Sequence, residues 1–271
     1  MEIGIGRWLR ALVAALALAF SASRAAPAAA APVAVRYAEA PSHAFLVLSD
    51  LAGKTLAGGE LVQWQERGAL ANRLVFRFDD GSLYDETVRF TAGRVFRLLS
   101  YRLVQKGHAF TETSEVEFDR GRRRYTASKR DASGEVKPSA GVLDVPDDAY
   151  NGMTSTLLKN LGAGASADVH VLAFTPSPQV VDVRLTREGT DPFWIGDTEM
   201  SATRFLVTPK VGGAKGVLAT LVGKQPEPVR FWLTAGRVPT FVRFEGPLYT
   251  GGPPWRVELA AARWKRERSG P

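Results

Sequence analysis

Cysteine is absent from the 271 residues. That removes disulfides, thiol nucleophiles and thiolate metal sites, and it excludes a bacterial lipoprotein, which needs a cysteine to carry its lipid. Histidine is scarce. His43, His108 and His170 stand far apart in sequence, and none lies in a His-Glu-x-x-His or His-x-His arrangement that would set two imidazoles on one metal, so they read as surface or packed histidines. No hydrophobic run is suited to crossing a bilayer: Ala11 to Phe20, ALVAALALAF, falls short of the ~20 apolar residues that a ~30 Å core requires. Catalytic motifs are missing too. Ser139 in KPSAG lacks the first glycine of a Gly-x-Ser-x-Gly elbow and follows a polar turn where an elbow needs a buried strand. Gly162, Gly164 and Ala167 fit Gly-x-Gly-x-x-Ala in form, but they follow a helix instead of joining a strand to one.

What is present begins with a secretory pattern. Arg7 and Arg10 form a basic start, Ala11 to Phe20 an apolar centre, and Ala-x-Ala-like sites follow, so residues 1–31 read as a signal peptide cleaved somewhere between Ser23 and Ala31. Arg24 interrupts the run and argues against an uncleaved transmembrane anchor. A signal without cysteines predicts a Gram-negative periplasm or simple secretion. Lys plus Arg number 35 against 28 Asp plus Glu, a formal net charge of +7. For an exported chain such an excess serves solubility or meets anionic envelope groups, and nucleic acid is not expected as a partner.

From Glu60 to Arg130, strand-like segments rich in β-branched and aromatic residues alternate with Gly68, Gly81, Gly93, Gly107 and Gly121, and Gly134 continues the series. Parallel pairing needs long crossovers and there is no room for them, which predicts an antiparallel meander. In NRLVFRF, Leu74, Phe76 and Phe78 share one face and Arg73 and Arg77 the other; Ser82, Tyr84, Glu86, Val88 and Phe90 form a softer version. Phe96 to Val104 is apolar on both faces and is expected to be covered on both sides. Leu51 to Gly59 reads as a loop. Seven further strands are expected between Ala167 and Ala262, one of them at Val217–Val222.

Between the two strand blocks lies the one convincing helix, within Asp144 to Gly162. Pro146 stops a strand, Asp147, Asp148 or Asn151 is placed to cap the first turn, and Tyr150, Met153, Leu157 and Leu161 repeat at helical spacing before Gly162. Gly152 favours a start at Met153. The expected fold is mainly β: a long curved antiparallel meander forming an open or half barrel, with a helix at about 150–161 on its concave face. One domain over 32–264 and a frayed basic tail over 265–271 are expected, with a two-domain split at the helix as the alternative.

Such a face must be closed by the helix or filled by a ligand, and walls of aromatic and aliphatic residues suit an acyl chain. Met153, Leu157, Leu161, Phe76, Phe78 and Trp232 are the candidate ligand-binding residues. Arg122, Arg123 and Arg124, beside a predicted turn, are candidates for contact with an anionic headgroup. Asp144, Asp147 and Asp148 offer hard oxygens for calcium, but helix capping accounts for them with fewer assumptions, so neither a metal nor a cofactor is predicted. DVPDDAYNGMTSTLLKNL (Asp144 to Leu161), GKQPEPVRFWLTAGRVPTFVRFEGPLYTGGPPWRVEL (Gly223 to Leu259) and FDDGSLYDETVRF (Phe78 to Phe90) resemble a group of uncharacterised bacterial exported proteins. That group is similar, more remotely, to periplasmic lipoprotein carriers. The resemblance implies an incomplete β-barrel lined with apolar residues and carries over no activity. The expected function is a periplasmic, non-enzymatic binding protein for a hydrophobic or lipid-like ligand. The alternatives are an envelope assembly factor that meets a protein partner through its sheet edge or the Gly246 to Pro254 loop, and an enzyme acting on an envelope polymer.

Overall fold

The computed structural model describes residues 30–130, 133–162, 166–174, 178–210 and 229–264. The expected signal up to residue 29, the strand expected at Val217–Val222 and the basic tail lie outside them. The chain forms β1 (Ser42–Asp50), β2 (Thr55–Glu66), β3 (Ala69–Phe78), β4 (Leu83–Ala92), β5 (Phe96–Lys106), β6 (Thr113–Asp119), β7 (Arg124–Arg130), β8 (Val136–Val142), β9 (Ala149–Tyr150), the helix α1 (Thr154–Lys159), β10 (Ala167–Phe174), β11 (Pro178–Ile195), β12 (Thr198–Pro209), β13 (Val229–Thr234), β14 (Phe241–Pro247), β15 (Pro254–Leu259) and β16 (Ala262–Trp264).

All sixteen strands join one sheet, in the order β8-β7-β6-β5-β4-β3-β2-β1-β15-β14-β13-β12-β11-β10-β9, with β16 on β11. Every pairing is antiparallel except β9 with β10. Two meanders, β1 to β8 and β10 to β15, are joined at the middle of the sheet, where Leu48 lies opposite Val257. The two sheet edges, β8 and β9, are therefore neighbours in the chain, separated only by Leu143 to Asp148. The molecule is an up-and-down ring left open at one seam, which is the open half barrel expected.

The seam is held from one side. The Arg120 guanidinium donates to the carbonyls of Val145, Pro146 and Ala149, and the Leu143 N–H donates to the Arg123 carbonyl. Beyond it the chain turns inward. The Tyr150 hydroxyl donates to the Phe96 carbonyl (3.2 Å) and accepts from the Val33 N–H (3.0 Å), tying β9 to β5 and to the residues preceding β1. Buried Met153, Leu157 and Leu158 then pack among Val88, Phe90, Phe96, Leu98, Val116, Val169, Leu185, Phe205 and Leu233.

The helix is shorter than expected. It has six residues, its N-terminal cap is Met153 with no side-chain hydrogen bond, and its C-terminal cap is Asn160, not Gly162. None of the expected capping residues caps it. Asp147 pairs with Arg97 (2.9 Å), Asp148 with His170 (2.8 Å), and the Asn151 amide donates to the Leu172 carbonyl (3.0 Å). Tyr150 belongs to a strand. Asn160 is buried and accepts from the N–H groups of Arg36 (2.8 Å) and Tyr37 (3.1 Å), so the segment before β1 is fastened to the helix.

Two strand readings are corrected. Thr55 to Gly59 is strand, not loop, and Gly59 answers to close packing: a Cβ there would stand 2.3 Å from the Phe76 ring and 2.6 Å from the Val75 carbonyl oxygen. In β5 the ladder to β4 slips so that Arg89 faces Ser100 but Phe90 faces Leu98. The extra residue, Leu99, is a β-bulge that reverses the alternation, so Phe96, Leu98, Tyr101 and Leu103 all turn to the core while Arg97 and Arg102 stay in water. An apolar residue on either parity therefore marks a bulge, not a strand covered on both sides. Ser139, in KPSAG, lies in β8, a largely exposed strand.

On the outer face, Phe193, Ala202, Trp232 and Val242 form a third cluster, which Trp264 of β16 covers. The Arg243 guanidinium lies between the rings of Trp232 (5.1 Å) and Trp264 (4.7 Å).

Asp168 on β10 accepts both arms of a fork from Arg184 (2.9 and 3.0 Å) and a third contact from Lys210 (2.5 Å), which together hold its carboxyl down at about 2. A depressed carboxylate stabilises the fold above its unfolded value, and that contribution is lost as pH falls through the folded one. Asp168→Asn is therefore expected to flatten the acid limb of a stability profile between about pH 4 and pH 2. The loss near neutrality is expected at no more than about 2 kcal/mol, because the half-exposed Arg184 is solvent-screened. Urea unfolding at a series of pH values reads both effects.

Candidate functional site

Ladder register places one residue from each of five neighbouring strands in a line across the concave face. Ala44 faces Leu61, Leu61 faces Leu74, Leu74 faces Glu86 and Glu86 faces Leu103. All five are only half-buried. On one side runs a line containing buried Leu46, Phe76, Tyr84 and Gln105, and on the other buried Gln63, Asn72, Val88 and Tyr101. Between two buried lines this row is only half-buried, a trough in burial across the wall. One core holds the helix; the other gathers Leu46, Leu48, Phe76, Phe78, Phe110, Phe244, Trp255 and Val257, with Ala44, Leu61, Leu74 and Leu103 packed against it. Leu103 and Phe231 are half-buried residues that touch both. Val229 and Val207 continue the wall from β13 and β12. At the usual strand spacing, four gaps make this trough about 19 Å long.

One polar group is set in its wall. Glu86 accepts through Oε1 from the hydroxyls of Tyr101 (2.8 Å) and Tyr84 (3.3 Å), and the Tyr101 ring stacks on Phe174 at 5.8 Å. Burial pushes the Glu86 carboxyl above its ordinary range and both tyrosine hydroxyls well above theirs. The carboxyl is deep in the sheet yet half-accessible, as expected of a group facing an interior space. It enters no ion pair among the described residues. Gly152 passes over it in a left-handed conformation (φ +63°), where a Cβ would come within 3.2 Å of the carboxyl carbon and 3.3 Å of the Tyr101 ring.

A carboxyl raised in this way costs the fold stability when ionised. The fold is then at its best below the unfolded value, near 4.5, and loses that advantage as pH rises through the folded value. Glu86→Gln is expected to melt above the parent protein at pH 7.5 and level with it at pH 4, by thermal unfolding at the two pH values.

The sequence candidates do not converge on the trough. Met153 and Leu157 lie at the centre of the helix-containing core, with Leu161 half-buried against it. Phe76 borders the trough, while Phe78 meets Phe110 edge-to-face (5.3 Å) and Trp255 at a tilt (5.6 Å) in the second core. Trp232 is on the other side of the sheet: its Nε1 donates to Asp191 (2.7 Å) in the outer cluster, and the residue facing inward is its neighbour Phe231. VRFWL is apolar on both parities, so alternation alone does not choose between them. Glu86, Tyr84 and Tyr101 were missed as a group. Their signal was a carboxylate on the apolar parity of β4, between Tyr84 and Val88.

Arg122, Arg123 and Arg124 share the β6–β7 turn. Arg123 pairs with Asp144, and Arg122 lies 3.9 Å from Asp119. The acidic trio diverges, Asp144 to Arg123, Asp147 to Arg97 and Asp148 to His170, and no cluster of three metal-ligating side chains occurs among the described residues. The His170 ring on β10 lies between Asp148 (2.8 Å), just before β9, and Asp182 (3.1 Å) of β11, a polar clasp across the three segments. The Gly246 to Pro254 loop folds onto the second core, with Tyr249 against Phe110 (5.5 Å) and Trp255 (5.9 Å).

A groove of about 520 Å³ crosses β5 to β8 on the outer face. Its ridges are Arg102, Glu117, Thr126 and Ala140 on one side and Val104, Glu115, Ser128 and Pro138 on the other. The floor is backbone of the intervening row, since Val116 points into the core.

Comparison with protein-family models, with curated proteins and with solved structures finds no match to this chain. On the concave face, then, stands an apolar row bearing the Glu86 carboxyl flanked by the hydroxyls of Tyr84 and Tyr101.

Proposed function

We propose that this protein is an exported, non-enzymatic carrier that holds a hydrophobic or lipid-like molecule in the trough between its two cores. The observation supporting this reading is the half-exposed row Leu61, Leu74, Glu86, Leu103, running between two buried rows on the face toward which the sheet curls. A full interior would bury that row as deeply as its neighbours; one that receives an apolar chain keeps it lined but open. The signal-like first 31 residues support an envelope location, where acyl chains and their relatives need transport through water.

Saturable binding of the uncharged dye Nile red, with one site per chain, is the expected result. Leu61→Trp fills the trough two strands away from Glu86 and is expected to weaken the dye at least tenfold with little change in melting temperature. A dye that fails to saturate, or that binds Leu61→Trp as tightly as the parent, overturns the reading.

A further inference from the structure

Three acceptor atoms around Glu86 are left over. Both tyrosine hydroxyls give their protons to Oε1 of Glu86, and the Gln105 amide donates to the Glu112 carbonyl (3.1 Å). Gln105 Oε1 and Asn72 Oδ1 are buried without a hydrogen-bond partner, and Glu86 Oε2 receives nothing from the described residues. Gln105 is 1% exposed and Asn72 7%. In the ladder, Asn72 on β3 and Gln105 on β5 are the diagonal neighbours of Glu86 on either side, at about 7–8 Å between Cα atoms. An acidic group and two amide oxygens thus stand on the face that lines the trough.

We propose that the trough selects amphiphiles with a primary ammonium head, its N–H groups donating to Glu86 Oε2 and to the Gln105 or Asn72 amide oxygen while the chain lies along Leu74, Leu61 and Phe231. This rests on the carrier reading and specifies its ligand. An ammonium brings three donors and the positive charge that Glu86 lacks, and orphaned acceptors are costly until such a donor arrives. A carboxylate or phosphate head would instead set negative charge against Glu86. A hydroxyl head has one proton to give and no charge.

Displacement of Nile red by dodecylamine, dodecanol and dodecanoic acid, each at micromolar concentration and pH 7, tests the proposal. In the parent protein dodecylamine is expected to displace the dye at least tenfold more effectively than dodecanol, with dodecanoic acid weakest. In Glu86→Gln the amine-to-alcohol ratio is expected to fall to about one, and in Gln105→Leu to fall by a smaller factor. An amine no better than the alcohol, or an amine preference that survives in Glu86→Gln, overturns the ammonium assignment while dye binding leaves the carrier reading standing. Absence of dye binding overturns both.

Discussion

Gly59→Ala is expected to cost about 3 kcal/mol, the upper part of the range for overpacking a tight core, and to lower the urea midpoint accordingly. The new methyl would meet the Phe76 ring at 2.3 Å and the Val75 carbonyl oxygen at 2.6 Å, and only the first of these can yield. Phe76 is fully buried, so the ring can yield only by disturbing its packed neighbours. Phe76→Ala alone is expected to cost about 3–5 kcal/mol, the usual price of emptying a buried aromatic position. Because each change alters the same few ångströms, the pair should not add: the alanine at position 59 occupies part of the space left by the ring, so the double variant is expected to lie at least 1 kcal/mol above the sum of the singles. Strict additivity would mean that the backbone contact with Val75, not the ring, sets the limit at Gly59.

Leu157→Ala is the second large effect, expected at about 2–5 kcal/mol. Six residues without a side-chain N-cap are far below the length at which a helix persists in water, so α1 exists because Met153, Leu157 and Leu158 are buried. Truncating Leu157 removes one of the three buried side chains that hold the helical turn. Amide exchange should therefore accelerate across Thr154 to Asn160 more than in β3 or β4. Uniform acceleration through the sheet would instead show the helix and both meanders to be one cooperative unit. Lys159 with Glu39, and Asn160 with Arg36 and Tyr37, extend the consequence to the segment before β1, which loses its anchor when the turn melts.

Much of the fold was legible because period-2 patterning reports burial directly. The strand read from Ala167 to Phe174 coincides with β10, and Leu74, Phe76 and Phe78 are inward as the alternation requires. The misreadings share a cause. At Gly59, at the Leu99 bulge and at Phe231–Trp232, the deciding contact belongs to another strand: a phenylalanine across the ladder, a slipped register, an outer-face aromatic cluster. The aspartates before the helix looked like caps because local chemistry favours caps, but Arg97 and His170 approach from distant strands and claim two of them. Of the trough, only Phe76 had been named as a candidate, and it forms the border.

By itself the sequence determined the class of the fold, mainly antiparallel β with a helix between two strand blocks, because turn glycines, alternation and the lack of room for crossovers act over a few residues each. It also determined what the protein lacks, from disulfides to recognisable catalytic motifs. Only the tertiary structure decided that β1 joins β15, that the ring opens between two strands adjacent in the chain, and that Glu86, Asn72 and Gln105 surround one stretch of the trough. Those facts depend on register across five strands, where a shift of one residue would turn every one of these side chains to the opposite face.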